Sequence, residues 1–204
     1  MSFNPETKSQ GTIAAILMAS GFSKRFGARN KLLVPFRGKP LARYALDLAA
    51  GLQFEGGVFF ITASADVAAL ADDLPMIKVI RNNAPEKDLR ESVRLGVEST
   101  GPECGYYLFL HCDQPFLDTV TVRRILDARK PGCIVEPRYK DRPGNPCLFS
   151  AFFRQELLSL KEGETPKLIK ARYPEALKFV HVQDVRILQD IDDEETFAKL
   201  QFIA

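Results

Sequence analysis

Residues 12–27 read TIAAILM followed by ASGFSKRFG. The first seven are almost entirely apolar with no polar alternation, which predicts a strand buried on both faces. The strand empties into Ala19, Ser20, Gly21, Phe22, Ser23, Lys24, Arg25, Phe26 and Gly27. Small residues at Ala19, Ser20 and Gly21 let backbone N–H groups come close to a ligand, and successive N–H groups in such a turn form a concavity that suits an anion. Arg25 and the following Lys31 add a guanidinium fork and a mobile ammonium, a pairing suited to a triphosphate. For the turn alone, a tight strand-to-loop connection with solvated cations is the competing reading. The string is neither a Walker A loop nor a G-x-G-x-x-G fingerprint.

Working outward, apolar runs alternate with helical periodicity. Residues 40–52 (PLARYALDLAAGL) predict a helix with Pro in its first turn. Residues 58–62 (VFFIT), 77–80 and 106–111 (YYLFLH) predict strands, and 89–98 and 119–129 predict helices. After Lys130, strands are expected at 134–137, 147–149, 180–182 and 187–188. Helices are expected at 151–160, 166–172 and 193–201. Strand–helix–strand order implies an α/β fold, a mostly parallel sheet covered by helices on both faces in a three-layer, Rossmann-like arrangement. Ligands in such sheets sit beyond the carboxyl ends of the strands. Residues 1–11 read as a polar tail. Residues 12–204 read as one domain, whose strand–helix alternation loosens after Lys130.

Composition narrows the function. The 204 residues are 46% hydrophobic and 26% charged with a formal net charge of +2, an ordinary globular balance without the concentrated basic face of a nucleic-acid binder. No apolar run approaches the ~20 residues of a membrane span. Cys104, Cys112, Cys133 and Cys147 form no C-x-x-C pair, as expected of buried thiols in a cytoplasmic protein. Only His111 and His181 are present, which points away from a His-based triad or a poly-His metal centre.

Asp113 follows the strand 106–111 and would emerge at the ligand edge of the sheet. A hard cation such as Mg²⁺ needs only one or two carboxylates beside phosphate oxygens; the alternative is that Asp113 caps a turn before Pro115. In Asp190-Ile191-Asp192, alternation puts both carboxylates on one face if the stretch is extended. Asp192 or Asp193 could instead be the N-cap of the last helix. Asn82 and Asn83 could read a base or form a turn, and Ser92 could meet a base or phosphate from the first turns of its helix.

The run LMASGFSKRFGARNKLLVPFRGKPL resembles the opening signature of the molybdenum cofactor nucleotidyltransferases, the cytidylyltransferase branch in particular. ESVRLGV, YYLFLHCDQPFL, RPGNPCLF and DIDDEETF resemble later family segments in the same order. The resemblance implies a nucleotide-diphospho-sugar-transferase type of fold whose first loop holds the triphosphate. Ala19, Ser20, Gly21, Ser23, Arg25 and Lys31 occupy the matching positions, with Met18 and Ala19 against the base. It also implies Asp113 as Mg²⁺ ligand, joined by Asp192 or, as the alternative, Asp190. The implied reaction is Mg²⁺-dependent transfer of CMP from CTP to molybdopterin or a related phosphate, with pyrophosphate released and a molybdoenzyme or maturation factor as partner. The catalytic residues would be Arg25, Lys31 and Asp113, and the nucleotide-binding set would add Asn82 and Ser92. Two departures fall on the acceptor side: Gly144-Asn145-Pro146 where relatives carry Gly-His-Pro, and residues 161–167 (KEGETPK) where they carry a Gly-Asp-(Lys/Arg)-Gly-Ala-Arg stretch. They keep open a sugar- or polyol-phosphate acceptor, or an accessory protein that binds nucleotide without catalysis.

Overall fold

The structure, a computed structural model, describes residues 11–19, 26 and 29–202. Strand β1 (Thr12–Ala19) is buried over its last six residues. A short hairpin of β2 (Pro35–Phe36) and β3 (Lys39–Pro40) precedes helix α1 (Arg43–Gly51), β4 (Val58–Thr62), α2 (Ala65–Ala68), β5 (Ile77–Arg81) and α3 (Asp88–Ser99). Then come β6 (Cys104–His111), α4 (Thr119–Asp127), β7 (Ile134–Tyr139), β8 (Arg142–Pro143) and β9 (Cys147–Ser150). Helices α5 (Arg154–Leu158) and α6 (Pro166–Arg172), strand β10 (Leu177–His181) and α7 (Glu194–Gln201) complete the order.

The main sheet runs β10-β7-β9-β6-β1-β4-β5, with β8 paired to β7. Strands β6, β1, β4 and β5 are parallel, β10 is parallel to β7, and β9 is antiparallel to both of its neighbours. The architecture is therefore an α/β fold around a mostly parallel sheet.

Alternation along β1 builds the layers. Ala15, Leu17 and Ala19 face one core with Ala45 and Ala49 of α1 and Val122 and Ile125 of α4. Ala14, Ile16 and Met18 face the other with Val93 and Val97 of α3, Leu157 of α5 and Ile169 of α6. Burying each large aliphatic side chain stabilises the fold by roughly 1.5–3 kcal/mol, and β1 does so on both faces. Gly96 lets α3 approach β1 closely, since a Cβ there would lie 2.4 Å from Cγ2 of Ile16.

Three expectations are corrected. Pro40 does not open a helix; it pairs with Pro35 in the hairpin, whose turn uses positive φ at Arg37 (47°) and Gly38 (92°), and α1 starts only at Arg43. The stretch 151–160 begins as a 3-10 turn at Ala151–Phe153, capped by Ser150, before α5. Ile187 and Leu188 belong to a 3-10 turn, Val185–Leu188, because the Asp184 side chain accepts from the N–H of Arg186 and curls the chain. The four cysteines are buried free thiols. Among the described residues no helix is long and apolar enough to cross a membrane.

Candidate functional site

Parallel pairing in register brings the carboxyl ends of β1 and β6 side by side: Met18 lies opposite His111, and the N–H of Cys112 donates to the Met18 carbonyl oxygen at 3.4 Å. The chain beyond β6 is tied to the C-terminal segment by a hydrogen bond from the N–H of Ile191 to the carbonyl oxygen of Asp113, 2.9 Å. Ile191 is fully buried beside Phe26, Phe36 and Leu200. Lys31 opens a 3-10 turn whose preceding residue, Asn30, accepts from the N–H of Leu32. Buried Leu32 pins that turn to the core.

These anchors converge on a charged cluster. The Lys31 ammonium donates to Oδ2 of Asp113 at 2.7 Å and to Oδ1 of Asp192 at 2.8 Å. Burial opposes its charge, but the two carboxylates outweigh burial and hold Lys31 above the usual lysine value. His111, Asp113 and Asp190 each offer a donor atom within 4.8 Å of the others. Oδ1 of Asp113 and Oδ1 of Asp190 are buried with no hydrogen-bond partner. Burial first, then the Asp113 carboxylate, pushes Asp190 above the usual carboxylate value. Two buried, unsatisfied carboxylate oxygens beside an imidazole are a costly arrangement that a cation relieves. The residues present thus fit a divalent ion, for which Asp113 and Asp190 would be the oxygen donors. Asp193 is the N-cap of α7, accepting from the N–H of Thr196 at 2.7 Å, and the Asp192 carboxylate is engaged with Lys31.

A cavity of about 230 Å³ opens beside this cluster. Met18, Val93, Phe109 and Phe149 form apolar walls; His111 and Asp190 border it on the side of the charged cluster. Asn145 and Thr165–Lys167, from the two segments that depart from the family pattern, line it as well.

The other expected residues divide into three groups. Met18 and Ala19 end β1 at this edge, both nearly sealed from solvent. Ser20, Gly21, Ser23 and Arg25 lie outside the described residues. Asn82 and Ser92 come together, but on each other: Nδ2 of Asn82 donates to Oγ of Ser92 at 3.2 Å, Oδ1 of Asn82 accepts from the N–H of Ala84, and both residues are 2% exposed. Sequence reasoning missed His111, which ends β6 two residues before Asp113. It also missed Glu136 and Lys170, which only tertiary structure joins.

A mostly parallel α/β sheet with lysine and carboxylates gathered at the ends of its first and fourth parallel strands defines a nucleotidyltransferase of the nucleotide-diphospho-sugar-transferase type. Residues 15–192 match the MobA-like NTP transferase domain, and the chain belongs to that family. It is 25% identical over 200 residues, 92% of this chain and 96% of the relative, to nicotine blue oxidoreductase of Paenarthrobacter nicotinovorans. It is 28% identical over 121 residues, 59% of this chain and 56% of the relative, to molybdenum cofactor guanylyltransferase of Cupriavidus metallidurans. Among solved structures, Rv0371c from Mycobacterium tuberculosis H37Rv superposes with a TM-score of 0.77 at 23% identity, covering 94% of this chain and 98% of that one. Its complex with manganese gives a TM-score of 0.74, also at 23% identity, covering 93% and 98%.

Proposed function

We propose that this enzyme transfers CMP from CTP, in a Mg²⁺-dependent reaction, to the phosphate of molybdopterin or a related cofactor precursor. The observation that carries the reading is the convergence of Lys31, Asp113, Asp190 and Asp192 at the edge of the sheet beside a cavity with apolar walls. The family and the name of the guanylyltransferase relative support nucleotide chemistry on a molybdenum cofactor. The choice of CTP rests on the resemblance of the first loop to the cytidylyltransferase branch.

An oxygen of the acceptor phosphate attacks the α-phosphorus of CTP. A new P–O bond forms, the bond from the α-phosphorus to its bridging oxygen breaks, and pyrophosphate leaves in line. A phosphate monoester is already anionic near neutral pH, so no general base is needed. Mg²⁺, when bound, supplies charge neutralisation at the reacting phosphates. Asp113 and Asp190 would hold that ion. Asp113 and Asp192 keep the Lys31 ammonium charged and near the cleft, where it meets the charge that builds on the departing pyrophosphate, with Arg25 contributing from the first loop. The apolar walls hold the acceptor and exclude water that would otherwise compete as nucleophile.

The test is pyrophosphate release from each of the four common NTPs with Mg²⁺, in the presence of molybdopterin or of glucose 1-phosphate. Release that requires CTP and molybdopterin together is the expected result. Release with the sugar phosphate alone would move the acceptor to the sugar class. Tight NTP binding without turnover on any acceptor would make the protein an accessory factor.

A further inference from the structure

Cys147 of β9 and Lys170 of α6 line the same cavity, and both contact Glu136 of β7. The Lys170 ammonium pairs directly with Oε2 of Glu136 and donates to Sγ of Cys147 at 3.5 Å. Their side chains are largely sealed, with Lys170 at 17% and Glu136 at 4% exposure. Burial pushes the Cys147 thiol up to about 11, so it stays neutral. Burial opposes the ammonium of Lys170, yet its hydrogen bonds to Cys147 and to the Glu136 carboxylate outweigh burial and raise its value.

Stability alone does not account for such a pair, because a buried ion pair is often no better than well-packed apolar residues. Its placement suggests a use. An ammonium has three N–H donors; two go to Glu136 and Cys147, and the third has no partner among the described residues. Lys170 lines the cavity with the apolar walls and also an adjoining cleft that Glu136 borders. Glu136 cancels the net charge of Lys170 and fixes its direction. What remains for a ligand is a single N–H donor on a neutralised pair rather than a diffuse positive field.

We infer that Lys170 is an acceptor-binding residue, oriented by Glu136, whose remaining N–H donates to a carbonyl oxygen on a flat ring seated between Met18, Val93, Phe109 and Phe149. This selects a lactam-bearing heterocycle over a polyol, whose hydroxyls would face apolar walls. The ligand's role as acceptor rests on the nucleotidyl-transfer reading above; the contact itself does not.

The probe is 6-hydroxymethylpterin, followed by its own fluorescence and compared with the 2,4-diamino analogue, in which an amino group replaces the ring carbonyl. A hydrogen bond to a charged donor contributes about 1.5–3 kcal/mol, so the wild-type protein should prefer the carbonyl probe by about tenfold or more. Lys170→Met should abolish that preference, and Lys170→Arg should retain much of it. If Lys170→Met unfolds the protein by stranding Glu136, the Lys170→Met/Glu136→Gln double variant removes the lone charge and should show the same loss of preference. CTP–Mg²⁺ affinity should be unchanged in every variant. Failure of the wild-type protein to bind the probe, no preference for the carbonyl, or full preference after loss of Lys170 would overturn the inference. Pterin binding without any NTP binding would instead sink the nucleotidyl-transfer reading and leave this one standing.

Discussion

The Lys31 ammonium sits 2.7 Å from Oδ2 of Asp113, joining two residues 82 positions apart at the carboxyl edge of the sheet. Lysine and aspartate are both largely buried, with side chains 10% and 18% exposed. Asp192 completes a bridge in which one cation holds two anions together. Lys31→Ala and Asp113→Ala are each expected to lower the rate of pyrophosphate release by two or more orders of magnitude, roughly the loss seen when a charge-stabilising donor is removed from a transition state. The far-ultraviolet circular dichroism spectrum should be preserved, because neither side chain packs in the two main cores. Near-normal turnover in either variant would remove both residues from the proposed chemistry.

The two outer acids of Asp190-Ile191-Asp192 are not equivalent. Oδ1 of Asp190 is buried without a hydrogen-bond partner and clusters with Asp113 and His111, whereas Oδ1 of Asp192 accepts from Lys31. Asp190→Asn is therefore expected to raise the Mg²⁺ concentration for half-maximal turnover by about tenfold or more. Loss of even an outer partner of a metal ligand costs roughly 10–100-fold in affinity, and a direct oxygen donor should cost no less. Asp192→Asn should shift that midpoint less and act chiefly on maximal rate, through Lys31. A Mg²⁺ titration of both variants decides, and the reverse order of effects would make Asp192 the oxygen donor.

Gly96→Ala tests the packing that positions β1. The added methyl would meet Cγ2 of Ile16 at 2.4 Å, well inside contact distance. Since Ile16 is fully buried, it has little room to yield. Overpacking of this kind costs typically 1–3 kcal/mol, so thermal unfolding should move several degrees lower despite the better helix propensity of alanine. An unchanged melting temperature would mean that α3 and β1 are not in close register.

The strands were legible because burial on both faces leaves long apolar runs: Val58–Thr62 follows from residue type alone, and the carboxyl edge follows from strand order. The place of Asp113 at the sheet edge was legible because it sits where such a run ends. Lys170 and Glu136 were not. They are 34 residues apart, on a helix and on a strand, and nothing local marks a lysine whose counter-ion arrives through tertiary packing. Asn82 and Ser92 show the converse. A polar residue after a strand and one early in a helix both looked open to a ligand, yet the fold turns them toward each other. Pro40 reads as a helix start because proline favours that position; the two-residue turn at Arg37-Gly38 takes priority and spends Pro40 on a hairpin.

That hairpin offers the last test, through pH. Lys39, in β3, and Arg43, in α1, both bond the carboxylate of Asp47. Burial alone would raise the Asp47 value, but hydrogen bonds from Lys39 and Arg43 outweigh burial and lower it below the reference of 3.8. A carboxylate depressed by folding stabilises the native state fully above its unfolded value, and that contribution is lost as pH falls through the lower folded value. Asp47→Asn should thus destabilise the protein at pH 7 by up to about 1 kcal/mol, the usual ceiling for a solvent-screened pair. The gap between wild type and variant should hold from neutral pH down to the ordinary carboxylate range and close only below it. Urea unfolding of both proteins across that range measures the gap. A gap that opens as the solution is acidified would have the wrong sign and would mean that Lys39 and Arg43 do not hold Asp47 ionised.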